Sequence, residues 1–506
     1  MRGTFKRKLE PYRAYGESLS VESNEADEDS GLALSCAIVI PMKRTYIKDL
    51  KDHIGTEVSI SGWIDIRRDH GKLIFIDIRD MTGKVQSVAL PNNKEAHEVA
   101  GRVRSEWVVT ATGIVNKRPE RMISKNEANG EIELELKSMT VLNEAETPAF
   151  DVRGAGTEIN EETRLAHRYL DLRRPRMQDN IRIRHKIIKH VRDMLDVEGF
   201  TEIETPILTK STPEGARDYV VPSRLEQGHF YALPQSPQQY KQLLMTAGFE
   251  KYFQIARCFR DEDTRSDRQP EFTQMDMEMS FVDREDVMAL NEKMLIEIVA
   301  TLFPEKKIQQ TPFPRITYKE AMEKYGNDRP DIRTDKDDVN LLAFCWVIDF
   351  PFFEKTEEGG WTFTHNPFSR AQTEHESWIM NKEKIGEILT TQYDIVLNGF
   401  EIGGGSIRNH NPEALKKVFE IMGYPTEQIE ANFGHMLRAF ASGTPPHGGI
   451  AWGLDRLVTL LRNETSIREV IAFAKTGEGK DLMMSSPSSI ADRQLRELGI
   501  EIKKKK

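Results

Sequence analysis

FQIARCFRDEDTRSDRQPEFTQMDMEMSF, from Phe253 to Phe281, is the stretch whose reading decides the fold. Phe253, Ile255 and Phe259 alternate with Gln254, Ala256, Cys258 and Arg260, and Met275, Met277 and Met279 alternate with Gln274, Asp276, Glu278 and Ser280. That period of two predicts two β-strands with one apolar and one polar face. A solvated edge strand would alternate as well. It would rarely gather Arg260, Glu262, Arg268, Gln274, Asp276 and Glu278 into one hairpin, so the polar face reads as the wall of a nucleotide-handling site.

Two downstream segments narrow the chemistry. GFEIGGGSIR, residues 399–408, places Glu401, three glycines and Arg408 together, with Asp394 seven positions before Glu401. Glycines there would let backbone approach a ligand, and two carboxylates beside a phosphate site suit magnesium. PPHGGIAWGLDRLV, residues 445–458, joins a Gly-Gly strand to a helix start carrying Arg456. Upstream, Ile187, Ile188, Val191, Met194 and Leu195 mark one face of a helix that Gly199 ends, and EIETPIL follows as a strand-like segment holding Pro206.

In this order the segments resemble the class II aminoacyl-tRNA synthetases, and within them the bacterial-type aspartyl-tRNA synthetase family. The three class signatures correspond to TEIETPILTKSTPEGARDY around Pro206, the hairpin around Arg260, and GLDR ending at Arg456. The aspartate-specific segments correspond to QSPQQYKQ from Gln235 and GGGSIRNHN from Gly403. The likeness runs from about Met42 to Ile502. It lacks the usual large insertion domain, because only Thr334 to Leu341 stand where that domain would be, enough for a loop. Any tRNA contact made by that domain is therefore in doubt.

The fold class expected is α+β: an N-terminal OB-fold β-barrel, then a catalytic domain built on an antiparallel β-sheet flanked by helices. VSISGWIDI, KLIFIDIRD, KVQSVAL, WVVTATGIV and EIELELKSMTVL give five strand-like runs between turn signals, as a small closed barrel requires. The boundaries read as an extension over 1–41, the barrel over 42–147, a hinge over 148–169 and the catalytic domain over 170–506. The extension is expected to be disordered, or to precede the true initiator Met42.

A chain of 506 residues exceeds what one core serves, and no apolar run reaches the roughly 20 residues of a membrane span. Cys36, Cys258 and Cys345 form no CxxC pair, which suggests a reducing, cytoplasmic setting. The net charge of −10 permits a tRNA partner without supporting one. Local clusters, Arg67 with Arg68 and Arg173 with Arg174 and Arg176, could contact phosphates or simply be solvated faces.

The resemblance implies ATP-dependent attachment of L-aspartate to tRNA(Asp) through an aspartyl-adenylate, with Mg2+ accompanying ATP. It assigns Arg260 to the α-phosphate and reacting carboxylate, Glu262 to the adenine amino group, and Phe272 with Arg456 to the two faces of adenine. Arg268 would reach the terminal phosphates, Gln274 belongs to the ATP set, and Asp394 and Glu401 would hold the metal. Arg408, bidentate, and Lys241, oriented by Asp276, would take the substrate's side-chain carboxylate as buried cations. Ser236, Gln238 and Glu214 would hold its ammonium, with Glu214 on a mobile loop; His365 would lie near the carboxylate.

In the barrel, Phe75 would stack on an anticodon base while Arg68, Gln86 and Glu133 read base edges or backbone. Read by residue type alone, Phe75 is equally a core aromatic, His365 a core histidine, Arg260 with Glu262 a surface pair and Glu401 a turn cap. His70 matches the kind of family member that charges tRNA(Asn) as well. The Pro206 unit implies a homodimer, although an edge strand in a monomer would read the same. Competing functions are an asparaginyl-tRNA synthetase, tested by amino-acid-dependent ATP–pyrophosphate exchange; a non-catalytic synthetase-like tRNA-binding protein, revived if Arg456→Ala kept all cellular work; and an aspartate–ammonia ligase, disfavoured by the barrel.

Overall fold

The computed structural model describes residues 42–211 and 215–503, so the 1–41 extension and Glu214 lie outside the described residues. The chain divides between Thr147 and Pro148 into two compact units.

In the first unit β1 (Glu57–Asp69), β2 (Ile74–Asp80), β3 (Gly83–Ala89), β4 (Val108–Lys117) and β5 (Ile132–Asn143) close into a barrel in the order β1-β2-β3-β5-β4. Alternation sorts the side chains. Ile60, Ile64, Ile76, Ile78, Val85, Val109, Val115 and Leu134 fill the interior, whereas Phe75 is half-exposed on the outer surface. Closure leaves no free sheet edge.

The second unit is built on eight strands: β6 (Thr201–Glu202), β7 (Lys251–Phe259), β8 (Glu271–Ser280), β9 (Arg315–Thr317), β10 (Phe344–Ile348), β11 (Gln392–Leu397), β12 (Phe400–Ile407) and β13 (His447–Gly453). Their order is β9-β10-β11-β12-β13-β8-β7-β6. The central six are antiparallel, but β9 joins β10 and β6 joins β7 in parallel, so the sheet is mixed rather than wholly antiparallel. Both parallel additions are two- or three-residue edges reached by long connections.

Of EIETPIL only Glu202 belongs to the strand, with the Ile203 N–H still donating to the Phe253 carbonyl at 3.1 Å, and Pro206 has no N–H with which to extend a ladder. Residues 148–169 count with the second unit, and Thr334–Asn340 form an irregular loop.

One sheet face is covered by α1 (Pro175–Val197) and α3 (Arg284–Leu302), with α2 (Gln238–Thr246) between them in the chain packing against β8 and β7. Ile187, Val191 and Leu195 of α1 and Leu295 and Ile298 of α3 meet Met275, Met277, Ile395 and Trp452 from the sheet. An Asp283–Asp286 capping box starts α3. Odd-numbered residues of β8 therefore enter the core, and the even ones, Phe272, Gln274, Asp276 and Glu278, are displayed on the opposite face.

Three of the clustered arginines, Arg67, Arg174 and Arg176, are already committed to partners within the chain. Arg174 is fully buried, with Nε 2.9 Å from Asp171 Oδ1 and its Nη atoms donating to the carbonyls of Arg153 and Asp151. Arg176 donates to Glu464 at 2.5 Å and Glu469 at 2.7 Å, and Arg164 grips Glu469 through both Nη atoms at 3.0 and 2.6 Å. Arg168 joins them through Asp171 at 2.8 Å. Burial raises the Glu469 carboxyl, but Arg164 and Arg176 outweigh it and leave it at about 2. Arg67 is likewise spent on Asp69 and the Ala100 carbonyl.

Candidate active site

A cavity of about 340 Å³ opens on the sheet face away from α1 and α3. Its floor comes from α2, β8 and the end of β12. Lys241 Nζ donates to Asp276 Oδ1 at 2.7 Å and lies 3.2 Å from Glu278 Oε2. Arg408 clasps the other side of Glu278, Nε to Oε1 at 2.8 Å and Nη2 to Oε2 at 3.2 Å. Nη1 of Arg408 donates to Ser406 Oγ at 2.9 Å, and Nη2 also to the Gly449 carbonyl at 3.2 Å. All four charged groups are at most 3 % exposed.

This geometry corrects two expectations. Arg408 does not offer a bidentate fork, because Glu278 already takes its Nε–Nη2 edge; one N–H on Nη1 remains. Nor is the floor an excess of positive charge: two cations face two carboxylates. Burial pushes Asp276 up against the pull of Lys241, and it pushes Glu278 up too, but Arg408 and Lys241 together bring Glu278 below the usual carboxylate range. What the floor does present is donors. Lys241 retains one N–H and Arg408 another, while Asp276 Oδ2 is buried with no hydrogen-bond partner among the described residues.

The site depends on two missing side chains. A Cβ on Gly449 would sit 2.2 Å from Glu278 Oε2, and one on Gly404 would sit 2.7 Å from Asp394 Oδ1. Gly403 and Gly405 line the cavity with their backbone, and their missing side chains let β12 close against the Ala451 and Gly449 carbonyls. Only Gly404 clears space on the cavity side.

At the other end of the cavity the Arg260 guanidinium lies 5.1 Å from the Phe272 ring centroid. Phe272 therefore already carries a cation over its ring. Arg268 faces Glu262 at 3.6 Å. Arg456, in the first turn of α4 (Leu454–Leu461), donates to the Glu401 carbonyl and to Asp267 Oδ2 at 3.2 Å, leaving a buried Nε with no partner among the described residues. Its neighbour Asp455 ties α4 to β8 and α1, accepting from the Thr273 backbone at 2.8 Å and Arg184 at 2.5 Å. Asp394 is buried, hydrogen-bonded by Gln392 at 2.7 Å, and pushed well above its ordinary range by burial and by Glu401.

Of the residues expected to hold the amino acid, Ser236, Gln238, Lys241, Asp276, His365 and Arg408 line this cavity. So do the nucleotide set, Arg260, Glu262, Arg268, Phe272, Gln274 and Arg456, and the carboxylates Asp394 and Glu401. His365 is not simply a core residue: it lines the cavity while packing edge-on to Phe350 at 4.5 Å, and burial lowers its basicity. Glu278 was placed on the polar face but given no role in holding a substrate. Its parity with Gln274 and Asp276 on β8 was the available signal.

On the barrel, Arg68 donates to Asp77 at 2.8 and 3.1 Å and to Gln86 Oε1 at 3.1 Å, and Gln86 donates to Glu133 at 3.2 Å. His70 meets Phe75 edge-on at 5.7 Å. Strands β1, β2, β3 and β5 thus bring Arg68, Phe75, Gln86 and Glu133 onto one outer surface, with His70 added from the β1–β2 turn.

The barrel and this cavity define a class II aminoacyl-tRNA synthetase. Residues 160–477 match the family described as class II tRNA synthetases (D, K and N), and residues 58–142 match the OB-fold nucleic acid binding domain. The chain belongs to the aspartate–tRNA ligases of that class. It is 41 % identical to the aspartate–tRNA(Asp/Asn) ligase of Syntrophomonas wolfei and 42 % to that of Natranaerobius thermophilus, covering 92 % of this chain and 100 % of each relative. It is 40 % identical to the aspartate–tRNA ligase of Macrococcus caseolyticus over 89 % of this chain and 97 % of that one. The first alignment spans 591 positions, more than this chain has residues, so the relative carries a stretch without counterpart here. In fold it is similar to the asparaginyl-tRNA synthetase of Pyrococcus horikoshii, with a TM-score of 0.69 at 22 % identity over 86 % of this chain and 98 % of that one.

Proposed function

We propose that this aspartate–tRNA ligase activates L-aspartate with ATP and Mg2+ and charges both tRNA(Asp) and tRNA(Asn). The observation that carries the amino-acid choice is the floor of Lys241, Asp276, Glu278 and Arg408. Its two remaining N–H groups, on Lys241 and Arg408, have no acceptor among the described residues, and a carboxylate supplies two acceptor oxygens. Asparagine offers one oxygen and turns an NH2 toward a donor. A site left with an unanswered buried donor discriminates strongly.

Activation is attack of the substrate's α-carboxylate on the α-phosphorus of ATP, forming the mixed anhydride as the bond to pyrophosphate breaks. That carboxylate is ionised at neutral pH, so no protein base is required; positioning and charge stabilisation are. Arg260 steadies the transferring phosphoryl, and Phe272 with Arg456 brackets the base. Ser236, Gln238 and Glu214 hold the ammonium, and His365 sits beside the carboxylate. The ribose hydroxyl of the tRNA end then displaces AMP.

Asp394 and Glu401 are the groups that would hold Mg2+. Asp394 is buried and its carboxyl is raised by burial and by the charge of the exposed Glu401, a repulsion that a divalent cation relieves; among the described residues no cluster of three or more such groups exists, so phosphate oxygens would complete the shell. The metal would offset charge between carboxylate and triphosphate.

Phe75, with Arg68, Gln86 and Glu133 beside it, is the anticodon platform. His70, packed on Phe75, and the relatives acting on tRNA(Asp/Asn) support dual charging. A homodimer is supported by Val197, Ile207, Leu208, Phe249 and Phe281, all exposed on the second unit. No helix among the described residues is long and apolar enough to cross a membrane, and a cytoplasmic location suits the substrates.

Aspartate-dependent ATP–pyrophosphate exchange, followed by charging of purified tRNA(Asp) and tRNA(Asn) side by side, tests this reading. Exchange with asparagine in preference to aspartate refutes the first half; charging confined to tRNA(Asp) refutes the second.

A further inference from the structure

His447, the first residue of β13, is completely buried and is not itself among the residues that line the cavity, although its carbonyl accepts from the Arg408 backbone N–H at 2.8 Å. Its Nδ1 lies 2.8 Å from the Pro445 carbonyl oxygen, and its Nε2 lies 3.2 Å from Nε2 of Gln242, which is also fully buried. Gln242 Oε1 in turn accepts from Gln238 Nε2 at 3.0 Å. Gln238 does line the cavity, and among the described residues nothing donates to its Oε1.

The direction of this chain is fixed at one end. A carbonyl oxygen can only accept, so the hydrogen of neutral His447 sits on Nδ1 and its Nε2 is an acceptor. Gln242 must then point its NH2 at His447 and its oxygen at Gln238. Gln238 must spend an N–H on Gln242, which leaves its carbonyl oxygen facing the cavity. We propose that His447 is a positioning residue for amino-acid recognition: through Gln242 it holds Gln238 with its oxygen, not its NH2, toward the substrate ammonium. This rests on the reading of Gln238 as an ammonium ligand.

Burial depresses the His447 imidazole to about 4, with Glu278 pulling the other way and Arg408 and His410 reinforcing the depression. The ring therefore stays neutral across the working pH range, and the polarity of the chain does not reverse. Without His447 the two glutamines can exchange both amides end for end. A half-populated correct orientation alone weakens ammonium binding twofold.

The test compares L-aspartate with succinate, which has both carboxylates and no ammonium, as KM and as competitive inhibition constant in ATP–pyrophosphate exchange. Gln238→Leu should weaken aspartate roughly tenfold or more, the worth of a hydrogen bond to a charged group, and leave succinate unchanged. His447→Leu should weaken aspartate about two- to fivefold with succinate and the KM for ATP unchanged, and should add nothing in the Gln238→Leu background. Equal weakening of aspartate and succinate by His447→Leu means general distortion and overturns the proposal. An unaltered aspartate-to-succinate ratio in Gln238→Leu overturns the reading of Gln238 itself, a distinguishable failure. Should His447→Leu not fold, 15N spectra of histidine-labelled wild-type protein decide. A neutral ring with hydrogen on Nδ1 supports the relay, and one with hydrogen on Nε2 overturns it.

Discussion

Lys241→Met is the substitution that most directly probes the cavity floor. Met fills much the same volume, so the change is electrostatic: the ammonium that lies 2.7 Å from Asp276 and 3.2 Å from Glu278 disappears, and a balanced floor becomes one of net negative charge. A substrate carboxylate then loses one charge-assisted donor and meets an uncompensated anion. Removing one partner from a desolvated charge pair costs about 2–5 kcal/mol, and every 1.4 kcal/mol is tenfold. We expect kcat/KM for L-aspartate in ATP–pyrophosphate exchange to fall on the order of 100-fold or more. Asparagine, which uses one neutral oxygen, should lose about 1 kcal/mol, roughly fivefold, so the aspartate-to-asparagine ratio should collapse. Breaking the buried pair also costs stability, about 3–5 kcal/mol, which a melting curve registers separately. Equal losses for the two amino acids in a folded variant would refute donor-based selection.

Further outcomes follow from other parts of the molecule. Phe75→Ala should raise the KM for tRNA about ten- to a hundredfold, the worth of one base stacked on an aromatic ring, while leaving ATP–pyrophosphate exchange untouched. Gly449→Ala pushes a methyl group into the Glu278 carboxylate; the KM for aspartate should rise and urea stability fall by about 1–3 kcal/mol. Glu469 is lowered from an ordinary value of 4.5 to about 2, so its contribution is complete above pH 4.5 and is lost as pH falls toward 2. That contribution is about 3 kcal/mol by proton linkage, and Arg164→Met should flatten the acid limb of the urea midpoint over this window.

Legibility in the sequence followed the range of the interaction. The five barrel strands and the β7–β8 hairpin could be read because alternation is a local property, and parity alone separated Met275 and Met277 from Asp276 and Glu278. The parallel edge β9 could not, since three residues carry no period, and β6 was read only as the start of a longer strand-like segment. Arg174 is held by Asp171 only three residues before it, whereas Arg176 could be read as a phosphate contact or a solvated residue because its acids are distant: Glu464 and Glu469 lie almost 300 positions on. Glu278 went unassigned for the same reason, its partner Arg408 being 130 residues away. The family likeness carried residue types onto the site but not their pairing, so Arg408 was given a fork that Glu278 already fills.

The arginine network at the entrance to the second unit bears on how the chain matures. Arg164 waits 305 residues for Glu469, which at a ribosomal pace of 5–20 residues per second is roughly 15–60 s. The barrel, whose strands lie between Glu57 and Asn143, can be complete long before then. The ligase half must hold two guanidinium groups, Arg164 and Arg176, without these partners until its late acidic residues leave the exit tunnel, so a nascent chain arrested short of Glu464 should yield a finished barrel tethered to an unclosed enzyme.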